Sequence, residues 1–150
     1  MASEVGFGEV VRELLEAGAD ANLTGNHGFN ALMTASQKAH VEVVRLLLDA
    51  DAGKNSTTKD GVSALMLAAG KGHTEVLRLL LEAGADTDLG NRHGTTALIL
   101  ASQNGHLEVV RLLLEAGADR NSASCDGLTP LMLSFENDHD DVQRILEDTP

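Results

Sequence analysis

Val10, Val43, Val76, Val109 and Val142 stand 33 residues apart, and near-copies of one stretch surround each of them. The fullest copy is Gly105 to Asp119, GHLEVVRLLLEAGAD. His73 to Asp86 reads HTEVLRLLLEAGAD, Val41 to Ala50 reads VEVVRLLLDA, Gly8 to Asp20 reads GEVVRELLEAGAD, and Asp140 to Glu147 keeps DDVQRILE. A strict period of this length restricts the chain to one supersecondary unit stacked on itself.

Within the fullest copy, Val109, Leu112, Leu113 and Ala116 fall at helical spacing on one face, and Glu108, Arg111 and Glu115 on the other. The spacing predicts an amphipathic helix. Glu108 and Arg111 can pair across one turn for a few tenths of a kcal/mol, about 0.2–0.5, so the apolar stripe must supply most of the stability. Gly117 ends the helix, because the residue past the last turn often needs a positive φ.

Ahead of each long helix lies a loop, then a glycine (Gly28, Gly61, Gly94 or Gly127), then a short helix. Two residues after each glycine comes Asn30, Ser63, Thr96 or Thr129, whose side-chain oxygen can cap that short helix. The short helices read ALMTASQKA, ALMLAAGKG, ALILASQNG and PLMLSFEND, with Pro130 in a first turn that needs no amide. Residues Met1 to Ala19 hold a second helix alone, and the first helix of that unit is expected to be very short or missing. Glu13 stands there where later copies have Leu46, Leu79 and Leu112, as suits an outer face.

A 33-residue unit of loop, short helix and longer helix, with DGLTPL at Asp126 to Leu131 and Ala-Asp-x-Asn at Ala118 to Asn121, resembles the ankyrin repeat. The resemblance covers almost the whole chain. It implies an all-α fold, an α-solenoid of stacked antiparallel helix pairs whose β-turn or hairpin fingers project to form a concave surface. One ankyrin repeat domain over 1–150 is expected: a partial repeat at 1–26, repeats at 27–59, 60–92 and 93–125, and a C-terminal capping repeat at 126–150.

The departures are specific. Met33, Met66, Ile99 and Met132 replace the histidine of the family's Thr-Pro-Leu-His, and Ala31, Ala64 and Ala97 replace its proline. Ala39 stands where Gly72 and Gly105 stand, and Asp51-Ala52-Gly53 inverts the Gly-Ala-Asp of Gly84 to Asp86. Asp51 must therefore take a positive φ, or its helix must end another way. The last unit turns acidic, with Glu147 in place of Leu48, Leu81 and Leu114, and this reads as a polar cap.

Composition narrows the function classes. The chain has 43% hydrophobic residues, no Trp or Tyr and three Phe, so its core rests on Leu, Val, Ala and Met. A net charge of −12 opposes attraction to nucleic acid or to an anionic membrane surface. One cysteine, Cys125, forms no internal disulfide, and the start MASEVGFGEV lacks the pattern of a secretory signal, so an intracellular, reducing compartment such as the cytoplasm is expected. No apolar run reaches the ~18 residues of a membrane span.

Four of the six histidines, His40, His73, His106 and His139, repeat in phase before each longer helix. A catalytic residue is rarely needed four times, and the resemblance implies that they hydrogen-bond neighbouring loops. His27, Asp60, His93 and Asp126 occupy one finger position. With units about 10 Å apart, residues of different fingers are not expected to share a metal ion, nor Cys125 to bond His93 as a nucleophile to its base. Gly70-Lys71-Gly72 completes no phosphate-binding fingerprint. No enzyme activity, cofactor or metal is expected.

What varies between otherwise similar units is the surface. The candidate partner-binding residues are His27, Phe29, Asp60, Val62, Arg92, His93, Thr95, Asp126 and Leu128 in the fingers, with Lys38, Lys71, Gln103 and Asn104 at the ends of the short helices. Phe29 leads among them, as an aromatic with no evident core to fill. The expected role is a non-catalytic module that binds another protein through this surface. The alternatives are a consensus-derived scaffold without a natural partner, or a structural spacer. The chain is expected to be a monomer, with dimerisation through the Ala31 to Ala39 edge as the other outcome.

Overall fold

The computed structural model describes residues 2–148; Met1, Thr149 and Pro150, at the ends of the expected domain, lie outside the described residues. Among these are nine α-helices: α1 (Ala2–Glu16), α2 (Ala31–Gln37), α3 (Val41–Asp49), α4 (Ala64–Lys71), α5 (Thr74–Glu82), α6 (Ala97–Gln103), α7 (Leu107–Glu115), α8 (Pro130–Glu136) and α9 (Asp140–Asp148). The only β-pairing among the described residues is the isolated bridges Thr24–Asn30 and Thr57–Ser63 at the feet of two fingers.

The short helices start where a side chain can stand in for the missing helical acceptor. Asn30, Ser63, Thr96 and Thr129 accept from the amides of Met33, Met66, Ile99 and Met132 at 2.9, 3.3, 3.3 and 3.2 Å. Each short helix packs on the longer helix that follows it, α2 on α3 through to α8 on α9. The short helices also pack on one another in order, α2, α4, α6, α8, and so do α1, α3, α5, α7 and α9. Two parallel layers of helices result, as in a repeat solenoid.

One continuous core lies between the layers, from Ala21 to Leu146. The stripe of α7 that enters it is Val109, Val110, Leu112 and Leu113. Ala116, expected on the buried face, is exposed. It is the C-cap of α7, beyond the last turn that touches the core, and Gly117 at φ +90° redirects the chain after it. Arg111 reaches Glu108 at 3.7 Å across the outer face.

Helix α1 corresponds in register to the second helices and packs on α3 as they pack on one another. Residues 2–7 continue α1 where later units place a turn and a first helix. Glu13 is exposed, and so are Phe7, Val10 and Leu14, so this edge is polar at one position and apolar at three. At the other end Glu147 is exposed as a cap requires. The polar cap does not extend to α8: Met132 and Phe135 are 51% and 52% exposed, because no following short helix covers them as α4, α6 and α8 cover Met33, Met66 and Ile99.

Candidate functional site

The fingers are tight turns closed by their own backbone. The amides of Gly25, Thr58, Asn91 and Ser124 bond the carbonyls of Phe29, Val62, Thr95 and Leu128 at 2.8, 2.9, 3.1 and 3.0 Å. In three of them a side chain braces the turn, as Thr58, Asn91 and Ser124 accept from the amides of Val62, Thr95 and Leu128. Gly25 has no side chain to do this. That finger forms a 3-10 turn over Asn26–Gly28, with His27 at φ +68°.

Successive fingers are joined edge to edge. Lys59, Arg92 and Cys125 donate their amides to the carbonyls of His27, Asp60 and His93 at 3.0, 2.9 and 2.8 Å. Gly61 shows how close the approach is: a Cβ there would lie 2.9 Å from Asn91 Cα, and its φ is +79°. The spacing of about 10 Å taken for the fingers is therefore too wide at their edges. Arg92 Nη1 reaches Asp60 Oδ1 at 2.7 Å, and Cys125 Sγ lies 3.9 Å from the Arg92 carbonyl oxygen. The helix separation of about 10 Å does not carry over to the fingers, which lean together. Among the described residues, no group of three His, Cys, Asp or Glu is placed to hold a metal ion.

Of the candidate residues, His27, Asp60, Arg92, His93 and Asp126 are exposed along the fingers, and Lys38, Lys71, Gln103 and Asn104 are exposed at the ends of the short helices. Phe29, Val62, Thr95 and Leu128 are half-buried. Phe29 does have a core to fill: it and Val62 pack against the buried cluster. The aromatic ring serves the fold before any partner. Arg92 also donates from Nε to His93 Nε2 at 3.1 Å, which orders the two side chains together. The Asn104 amide caps its own helix on the Leu100 carbonyl at 2.8 Å.

The periodic histidines act as staples between units. His73, His106 and His139 place Nε2 3.1, 3.2 and 3.0 Å from the carbonyl oxygens of Gln37, Gly70 and Gln103 at the ends of the preceding short helices. A second set of staples went unnoticed in the sequence. Asn22, Asn55 and Asp88 accept from the amides of Gly53, Asp86 and Asp119 at 2.7, 2.8 and 2.9 Å. Their own 33-residue spacing was the available signal.

The family model for ankyrin repeats matches the chain in three copies, over residues 1–91, 51–124 and 83–149. The chain belongs to the ankyrin repeat family. No curated protein matches it. Ankyrin repeats are in general protein–protein interaction modules, and in this ankyrin array backbone bonds join successive fingers into a row. No helix among the described residues is long and apolar enough to cross a membrane.

Proposed function

We propose that this ankyrin array is a non-catalytic module that docks a protein partner along its fingers and the ends of its short helices. The observation that carries this reading is a division of labour within each unit. Apolar residues repeated in phase build the core, phased histidines tie one unit to the next, and phased Glu–Arg pairs cover the outer face of the long helices. Residues that differ from unit to unit, among them His27, Lys38, Asp60, Lys71, Arg92, His93, Gln103, Asn104 and Asp126, are exposed along the fingers, which are fixed by finger-to-finger bonds, and at the ends of the short helices. Half-buried Phe29, Val62, Thr95 and Leu128 lie beneath them and supply apolar contact between the polar tips.

The test compares two surface variants in capture from cell lysate. One changes His27, Lys71, Arg92 and Gln103 to Ala, and the other changes Glu75, Arg78 and Glu82 on the outer face of α5. A partner kept by the second variant and lost by the first supports the reading; a partner lost only by the second moves the site to the other layer. The alternative, a spacer, draws on the apolar edges at Val10 and Leu14 and at Met132 and Phe135, against which further helices could stack. Capture by neither variant nor parent favours it.

A further inference from the structure

The charge of this chain is sorted between its two layers. Segments 26–39, 59–72 and 92–105, each a finger with its short helix, carry Lys38, Lys59, Lys71 and Arg92 against one acid, Asp60. Four cations less one anion leave +3 there, in a chain whose net charge is −12. Helices α2, α4 and α6 contain no acid, whereas α3, α5 and α7 open on Glu42, Glu75 and Glu108. The four cations are all exposed.

The single acid is neutralised in place, since Asp60 is bonded by Arg92 at 2.7 Å. Among the described residues no ion pair engages Lys38, Lys59 or Lys71. The patch is bounded at its far end, where the equivalent segment 125–138 carries Asp126, Glu136 and Asp138 and no cation.

We infer that this face takes an acidic, extended protein segment, an inference that rests on the docking reading above and names its partner's chemistry. Outside these segments the charge balance is strongly negative, so the charge pattern favours this face for an anionic segment and speeds its arrival there. The three short helices of the patch, packed at about 10 Å each, span ~20–30 Å. An extended peptide rises ~3.3 Å per residue, so six to nine residues, roughly, cover the patch. Half-buried Phe29, Val62 and Thr95 offer apolar contact between the cations.

The experiment uses the whole chain, labelled with nitrogen-15, and three nine-residue probe peptides: alternating Glu and Ala, Lys and Ala, and Gln and Ala. The Glu peptide is expected to shift amides within 26–39, 59–72 and 92–105. Its affinity should fall about tenfold or more as salt rises from ~0.05 to ~0.5 M, and be lost in the variant K38E/K59E/K71E/R92E. The milder K38Q/K71Q, which removes charge without reversing it, should weaken it several-fold. Should the Gln or Lys peptide shift these amides and the Glu peptide not, the acidic chemistry falls while the docking surface stands. If none of the three shifts them, both fall. Glu-peptide binding that survives charge reversal, or preferential binding of a nine-nucleotide oligothymidine at this face, overturns the inference.

Discussion

His106 Nε2 lies 3.2 Å from the carbonyl oxygen of Gly70, fastening the start of one long helix to the end of the short helix one unit before. A carbonyl only accepts, so Nε2 must carry the hydrogen. His106→Ala should cost about 1–2 kcal/mol, since it leaves a half-buried carbonyl without its donor. His40, at the start of the series, has its ring 6.2 Å from that of Phe7 and no earlier short helix to fasten. Urea unfolding should show His40→Ala to be the milder change. Equal losses would mean that ring packing, and not the bond, does the stapling.

The same ring explains a glycine. A Cβ on Gly72 would meet His106 Nδ1 at 2.7 Å, at a φ of +72°. Ala39 occupies the equivalent place at φ +59°, and Asp51 ends its helix at φ +62°, where other units use glycine. Both sites therefore hold the left-handed backbone with a side chain that disfavours it. Ala39→Gly and Asp51→Gly should each raise stability by up to about 1 kcal/mol, less for Asp51 because Asp tolerates this region better. A melting temperature that is unchanged or lower in both would show that the greater freedom of glycine in the unfolded chain cancels the gain.

Much of this was legible in the residues. The period located every helix, Asn30, Ser63, Thr96 and Thr129 announced their caps, and the inverted Asp51-Ala52-Gly53 announced a strained turn, because each is a local rule applied at a fixed interval. The finger contacts were not legible. Helix spacing says nothing about how far turns lean, so the Arg92 to Asp60 bond and the edge-to-edge amide bonds have no signature in the sequence. The seat of Phe29 was hidden for the same reason: whether a finger's apolar residue faces solvent or core depends on the turn beneath it. Lys38, Lys59, Lys71 and Arg92 were visible one by one, but that they share a layer almost free of acids needed the layers.

Leu14, Leu47, Leu80 and Leu113 occupy one position of the repeat and differ in what covers them. Leu14 is 54% exposed, while Leu80 and Leu113 are fully buried in helices that pack on a short helix and on long helices at both sides. Leu80→Ala or Leu113→Ala should cost about 2–5 kcal/mol, as a buried leucine leaves a cavity. Leu14→Ala should cost under about 1 kcal/mol. Urea midpoints of the three variants test the gradient directly. A Leu14→Ala loss as large as the others, especially one that grows with protein concentration, would reveal that something covers α1 in solution.

Ser36 and Ser102 are completely buried, and their hydroxyls have no hydrogen-bond partner. The position between them in the repeat is Ala69, equally buried. The chain thus holds its own comparison: the same niche between short helices accepts a methyl group in one unit and a stranded hydroxyl in two. A buried hydroxyl left unsatisfied costs about 1–3 kcal/mol, so Ser36→Ala and Ser102→Ala should each move the urea midpoint upward, by an amount worth about 1 kcal/mol after small repacking losses. The slope of the transition should stay the same, because no surface is added or removed. Ala69→Ser should move the midpoint the other way. If the two Ser→Ala changes are destabilising instead, the hydroxyls have partners such as the carbonyls of the preceding helical turn, and Ala69 is the position that gave one up.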